Sequence, residues 1–137
     1  MLPDLHRAVR SEGLAAVVEE HLEQTKEHAR RLEEVFRAAG AEPSSNLSPP
    51  VEKLAEHHDE VAGNIQEERL ADVFHAAAGA TTEHHEIAAY DALLALGQSL
   101  DLGDARGLLE QNRKEEEQAL EKLEGELKRL VGELSER

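Results

Sequence analysis

This chain should fold as an all-α protein, an antiparallel helical bundle. Ala, Leu, Glu, Lys, Arg and Gln dominate it, and these residues lose little freedom on entering a helix. Strand-forming residues are scarce: the aromatics are Phe36, Phe74 and Tyr90, and β-branched residues are sparse. The four prolines, Pro3, Pro43, Pro49 and Pro50, all fall at or near expected helix ends.

Residues 3–10 read as a partial helix of two turns. Ser11-Glu12-Gly13 makes a tight connection, with Ser11 as the N-cap of a helix over 14–39. Gly40 stops that helix. The segment 40–50 (GAEPSSNLSPP) is the clearest loop. A short extra helix follows it, opening at Ser48-Pro49, where proline's missing N–H costs nothing in a first turn. It ends near Gly63-Asn64. A fourth helix covers 67–100. Residues 101–104 form a turn with Asp104 as N-cap, and a fifth helix covers 104–134. At 1.5 Å per residue the last two are each roughly 45–50 Å long, the 14–39 helix roughly 40 Å, and the 3–10 piece about 12 Å. The short connection makes the last two an antiparallel hairpin. A four-helix bundle needs a longer partner than 3–10 supplies. The shortfall suggests an exposed apolar groove, and with it a dimer, a swapped element, or residues lost from the start.

The 137 residues fit one domain, 1–137, with 39% hydrophobic content for a modest core. Thirty acidic side chains against 15 basic ones give a net charge of −15. Such a surface repels nucleic acid and anionic lipid, so neither is expected as a main partner. With no cysteine, disulfides, thiolate catalysis and Cys-ligated metals are excluded. No apolar run approaches the roughly 20 residues of a membrane span, and MLPDLHRAVR lacks a signal-peptide core. A soluble cytoplasmic protein is expected. There is no Gly-rich phosphate loop, no Gly-x-Ser-x-Gly and no triad, which places hydrolases and nucleotide enzymes far down the order.

The functional signal lies where polar residues interrupt apolar stripes at spacings of 3 and 4. The last helix runs Leu120, Leu123, Leu127, Leu130, Leu134. Traced backward the seam meets Glu116, Arg113 and Leu109, so a carboxylate stands where leucine belongs. The 14–39 helix reads Leu14, Val18, His21, Thr25, His28, Leu32, Val35, with three successive polar positions. The 67–100 helix reads Val73, Ala76, Ala80, Glu83, Ile87, Tyr90, Leu94, and Glu86 leans to the same side. The short helix carries Val51, Leu54, His58, Val61 and Ile65, with Glu52 beside the stripe. An isolated inward carboxylate costs several kcal/mol or protonates, and several together repel. A cation resolves the conflict, as in di-iron and di-manganese bundles. Their usual Glu-x-x-His signature appears here only as Thr25-x-x-His28 and Glu83-x-x-Glu86. Other readings stay open: Glu116 paired with Arg113, His21 and His28 as hydrogen-bonded core or dimer-face histidines, and Glu83 and Glu86 bonded to His84, His85 or Tyr90. In the pairs His57-His58 and His84-His85, side chains diverge by about 100°, so one of each faces solvent. The run Glu115-Glu116-Glu117 is mostly surface, with Glu116 alone inward.

Residues 21–40 (HLEQTKEHARRLEEVFRAAG), 83–96 (EHHEIAAYDALLAL) and 108–123 (LLEQNRKEEEQALEKL) together resemble the YciE/YciF-type ferritin-like family of bacterial stress-induced bundles. The middle stretch is the most specific, with His85 in an aromatic slot, and the resemblance extends over nearly the whole chain. It implies a ferritin-like fold, a dinuclear metal site and homodimers, and it implies no substrate. His21 and Thr25 match the family's His-Leu-x-x-Thr pattern. Gln24 stands where the family often has Glu, and His28 where it often has Gln. Glu52 matches the carboxylate opening the third helix, Glu83, Glu86 and Tyr90 match the hallmark, and Glu115 and Glu116 match the acidic pair. Members have a longer first helix with an Asp-Ala-Glu element before Leu-Pro, a carboxylate this chain lacks.

The expectation is therefore a ferritin-like stress-response protein holding iron or manganese through Glu83, Glu86 and Glu116, with His21 or His28 completing the shell, Glu52 nearby and Tyr90 adjacent. Open positions at such a site would admit oxygen or peroxide. The alternative is a metal-free helical structural or interaction protein, motivated by the missing carboxylate and the long leucine seam.

Overall fold

The structure, a computed structural model, describes residues 8–42 and 49–136. Among the described residues four helices follow one another: α1 (Glu12–Ala38), α2 (Pro49–Gly63), α3 (Glu68–Gly97) and α4 (Ala105–Ser135). The all-α expectation holds, as does the short extra helix after the 40–50 loop. Residues 3–7 of the 3–10 piece lie outside the described part. Its last residues, Val9 and Arg10, are not helical, and Val9 is buried in the core.

The helix ends follow local chemistry. Ser11 Oγ accepts from Leu14 N at 3.3 Å, the expected N-cap. That end is also held from outside: Asp72 on α3 accepts the backbone N–H groups of Arg10 and Ser11 at 3.0 and 2.7 Å. Gly40 closes α1 with φ 75°, and Ala41 N–H reaches Phe36 O at 2.9 Å, a Schellman closure. Glu67 caps α3 by accepting from Arg69 N and Leu70 N. Asp104 precedes α4 in a helical conformation and makes no side-chain capping bond, which corrects the expected N-cap. Its turn is fastened instead by Leu102, buried so close to Gly97 that a Cβ there would lie 2.8 Å from Leu102 Cδ1, and by Arg106 Nη1 donating to Leu94 O.

α4 packs against both α1 and α3, while the backbones of α1 and α3 make little direct contact. Cross-helix pairs give the directions. Glu20–Lys122 and Arg31–Asn112 run α1 antiparallel to α4, and Leu94–Arg106 and His84–Glu124 do the same for α3. The apolar core lies in two pieces. One joins Val9, Leu14, Val18, Ala76, Leu123 and Leu130. The other joins Val35, Tyr90, Leu102 and Leu109. Between them the buried side chains are polar: His21, His28, Glu83, Asn112 and Glu116. Off to one side, α2 rests on α3. Its His58 ring stacks on Phe74 at 5.2 Å, and His58 Nε2 lies 3.1 Å from His75 Nδ1.

Candidate metal centre

Each site residue reaches the middle of the bundle because it occupies an apolar-stripe position. His21 and His28 are two turns apart on α1 and are each 3% exposed; Glu83 on α3 and Glu116 on α4 are 2% and 1% exposed. Glu86, one turn beyond Glu83, is half-buried. His21, Glu83, Glu86 and Glu116 each offer one ligand atom, and these atoms lie within 4.8 Å of one another.

The contacts within this group are short without being ordinary hydrogen bonds. His21 Nε2 lies 2.7 Å from Glu83 Oε1 and 3.4 Å from Glu116 Oε2. Yet His21 Nε2, Glu83 Oε2 and Glu116 Oε2 are buried polar atoms without an aligned hydrogen-bond partner, and so is His28 Nε2. Lone pairs converging on a common point look like this. Unsatisfied buried polar atoms are rare and costly. At its other nitrogen, His21 Nδ1 faces Gln24 Oε1 at 3.4 Å, which directs Nε2 toward the carboxylates.

His28 stands differently from its expected place among the ligands. Its Nδ1 lies 2.7 Å from Glu116 Oε1, so it orients that carboxylate from behind. Thr25 turns its hydroxyl back to donate to His21 O. Glu52 lies on α2, but its side chain falls outside the described residues. Tyr90 is buried, and its hydroxyl accepts from Asn112 Nδ2 at 3.2 Å.

Two expectations need correction. Arg113 does not enter the seam: it pairs with Asp91 and Glu117 near the surface. Asn112 takes the inward slot and is fully buried. It also donates to His28 O and accepts from Arg31 Nη1. Glu115 is half-buried rather than surface, because Arg31 reaches across from α1 to pair with it. Among the histidine pairs, His57 is exposed and His58 buried, as alternation required, whereas His84 and His85 are both exposed. Asn112, Arg31, Asp72 and His75 were not singled out by the sequence. A polar interruption at 112 is visible in the α4 pattern, but spacing alone favours 112 and 113 equally.

Burial shapes the protonation of the group. It raises Glu86 to about 8, with the nearby Glu116 carboxylate adding to the shift and His21 and His28 opposing it. Burial also raises Glu116, against the pull of His28. For His21 burial opposes the charge, but Glu83 and Glu116 outweigh it and lift the imidazole to about 9. Burial raises Tyr90 as well. Three carboxylates in one dry place thus stay compatible only by holding protons or by sharing a positive charge.

This geometry is found in a chain with clear relatives. The model of a domain of unknown function, DUF892, matches residues 1–135. Protein YciF of Escherichia coli (strain K12) is 31% identical across 84% of this chain and 70% of its own length. The crystal structure of YciF, described as an E. coli stress protein, superposes with a TM-score of 0.86 at 28% identity, covering 96% of this chain and 83% of that one. YcfI from Rhodopseudomonas palustris, described as a structural protein, superposes with a TM-score of 0.84 at 32% identity, covering 90% of this chain and 78% of that one. Fold, sequence and the polar stripes agree: the chain belongs to the DUF892 family, as a YciF-type ferritin-like helical bundle.

Proposed function

We propose that this is a stress-response protein of the ferritin-like type, cytoplasmic and homodimeric, that binds iron or manganese through Glu83, Glu86, Glu116 and His21. The observation that carries this reading is the set of four ligand atoms within 4.8 Å, three of them on side chains almost wholly buried. Carboxylate oxygen plus imidazole nitrogen is a donor set suited to these metals. The orphaned atoms of His21, Glu83 and Glu116 acquire a partner when a cation sits among them. The same carboxylates bridging two ions would make the site dinuclear.

The roles of the protein groups follow from their places. Glu83 and Glu116 supply charge from the neighbouring helices α3 and α4. Glu86 gives up a proton as a cation enters, since its protonated form is favoured only while the site lacks positive charge. Gln24 keeps the His21 ring turned, and His28 fixes Glu116. When bound, an iron ion would supply redox chemistry toward oxygen or peroxide.

A second reading also has support. His21 as an imidazolium offers the positive charge internally, and the relative YcfI is described as a structural protein. On that reading the bundle is metal-free and structural. Reconstitution of the stripped protein with iron(II) or manganese(II), followed by elemental analysis and chain mass in solution, tests the proposal. Metal stoichiometric with the chain is expected, and trace metal alone sinks the metal reading. The double variant Glu83→Ala with Glu116→Ala separates the two readings. A metal site loses uptake. An awkward buried cluster keeps or gains stability when both carboxylates go.

A further inference from the structure

Beside the ligand cluster, between α1 and α3, the structure holds a half-open cavity of about 270 Å³. It exists because the backbones of these two helices stay apart while both lean on α4. Ala29 and Leu32, with Thr25, form the α1 wall, and Ala89 and Leu93, with Glu86, the α3 wall. Ala29 and Ala89 are exposed and mark the mouth, while His28, Tyr90 and Glu116 are buried and mark the floor. The cavity is thus apolar along its sides and polar at its inner end. That is the usual make-up of a small-molecule site, at a size below the roughly 300 Å³ where ordinary ligand pockets begin.

The floor carries a hydrogen-bonding vacancy that the proposed ion does not fill. His28 Nε2 is buried without a hydrogen-bond partner, the Glu115 carboxylate standing off at 3.9 Å, and it lies outside the four-atom ligand group. Its ring is fixed by Nδ1 at 2.7 Å from Glu116 Oε1. A hydroxyl can donate to Nε2 or accept from it, whichever ring nitrogen carries the proton. A ligand seated here gains by offering one. Glu86 and Glu116, which also line the inner end, oppose an anionic head, and the alanine and leucine sides offer no partner to a charge held short of them.

We propose that this cavity binds a small uncharged molecule with an apolar body and one hydroxyl, the hydroxyl hydrogen-bonding with His28 Nε2 beside the ligand cluster. A short aliphatic alcohol has this chemistry. The inference shares Glu86 and Glu116 with the metal reading as lining of the cavity but does not need the ion, because His28 Nε2 has no hydrogen-bond partner and is not among the proposed ligands.

The test titrates 1-hexanol into metal-stripped and metal-loaded protein and follows saturation-transfer NMR, with hexanoate and hexylammonium as charged counterparts. Ala89→Phe and, separately, Ala29→Phe plug the mouth from exposed positions without entering the core. Saturable 1-hexanol binding is expected in both protein forms, weaker binding of both charged analogues, and about tenfold weaker 1-hexanol binding in either plugged variant with metal uptake unchanged. Non-saturable binding to the unaltered protein, undiminished binding to both plugged variants, or tighter binding of a charged analogue overturns the proposal. Alcohol binding without metal uptake leaves this inference standing and removes the metal reading; metal uptake without alcohol binding does the reverse.

Discussion

Asn112 shows how much one side chain organises. Its amide nitrogen donates to Tyr90 Oη and His28 O, and its oxygen accepts from Arg31 Nη1. Replacement by alanine takes the amide donor from the buried Tyr90 hydroxyl, unties α4 from His28 O, and leaves Arg31 to Glu115. We expect Asn112→Ala to lower stability by about 2–4 kcal/mol, measured by urea unfolding, and to weaken metal uptake because His28 and Tyr90 lose their anchor. A loss below about 0.5 kcal/mol contradicts that role. Asn112 was hidden in the sequence, whereas Glu116 was plain. Both interrupt the same seam. Glu116 sits four residues before Leu120 on a line that extends backward without ambiguity, but from Glu116 to Leu109 the step divides as well through 113 as through 112. Only α1 and α3, which bring Arg31 and Tyr90 into contact with Asn112, decide between them. Glu83, His21 and His28 were legible for the same reason as Glu116: a charged or imidazole group between apolar neighbours at helical spacing has no ordinary explanation.

Among the elements, α2 is the least secured of those described. It packs on α3 alone among the well-populated helix contacts, with His58 wedged between Phe74 and His75. Burial and the neighbouring His58 lower the His75 pKa, while Asp72 opposes the shift. A lowered imidazole pKa means the folded state binds fewer protons than the unfolded one just below pH 6.5, so this contribution is present above that pH and is lost as pH falls. Amide protection in α2 should therefore drop between about pH 7 and about pH 5 while α4 holds. His75→Asn, which keeps a hydrogen-bonding group but does not titrate, should abolish the pH dependence. Equal loss in α2 and α4 counts against a local event. Helix existence and most ends were readable from Gly40, Ser11 and the prolines, because caps are local chemistry. The Asp72 bonds to Arg10 and Ser11 were not readable, since they span more than 60 positions of sequence.

The molecule as a whole carries −15, and its centre repeats that imbalance in miniature. In the stripped protein, Glu86 is raised from 4.5 to about 8 and His21 from 6.5 to about 9. Both shifts make the folded state hold more protons than the unfolded one, so the contribution of these two groups to stability is full below about pH 5 and falls as pH climbs toward about 9. Metal runs the other way, because its ligands must first lose protons. The Tm difference between loaded and stripped protein should thus widen from about pH 6 to about pH 8, reaching roughly 10 °C near a hundredfold excess over Kd. Scanning calorimetry at the two pH values checks this, and a constant difference contradicts it. The spacing of α1 and α3 has one more outcome. Both helices use α4 as a common spine, and across the site they meet through the tips of His21 and Glu83 rather than through interlocked backbones. Ions of slightly different radius can then be accommodated by a small outward lean of either rod. Discrimination by ionic size should accordingly be soft, leaving the choice between iron and manganese to cellular supply.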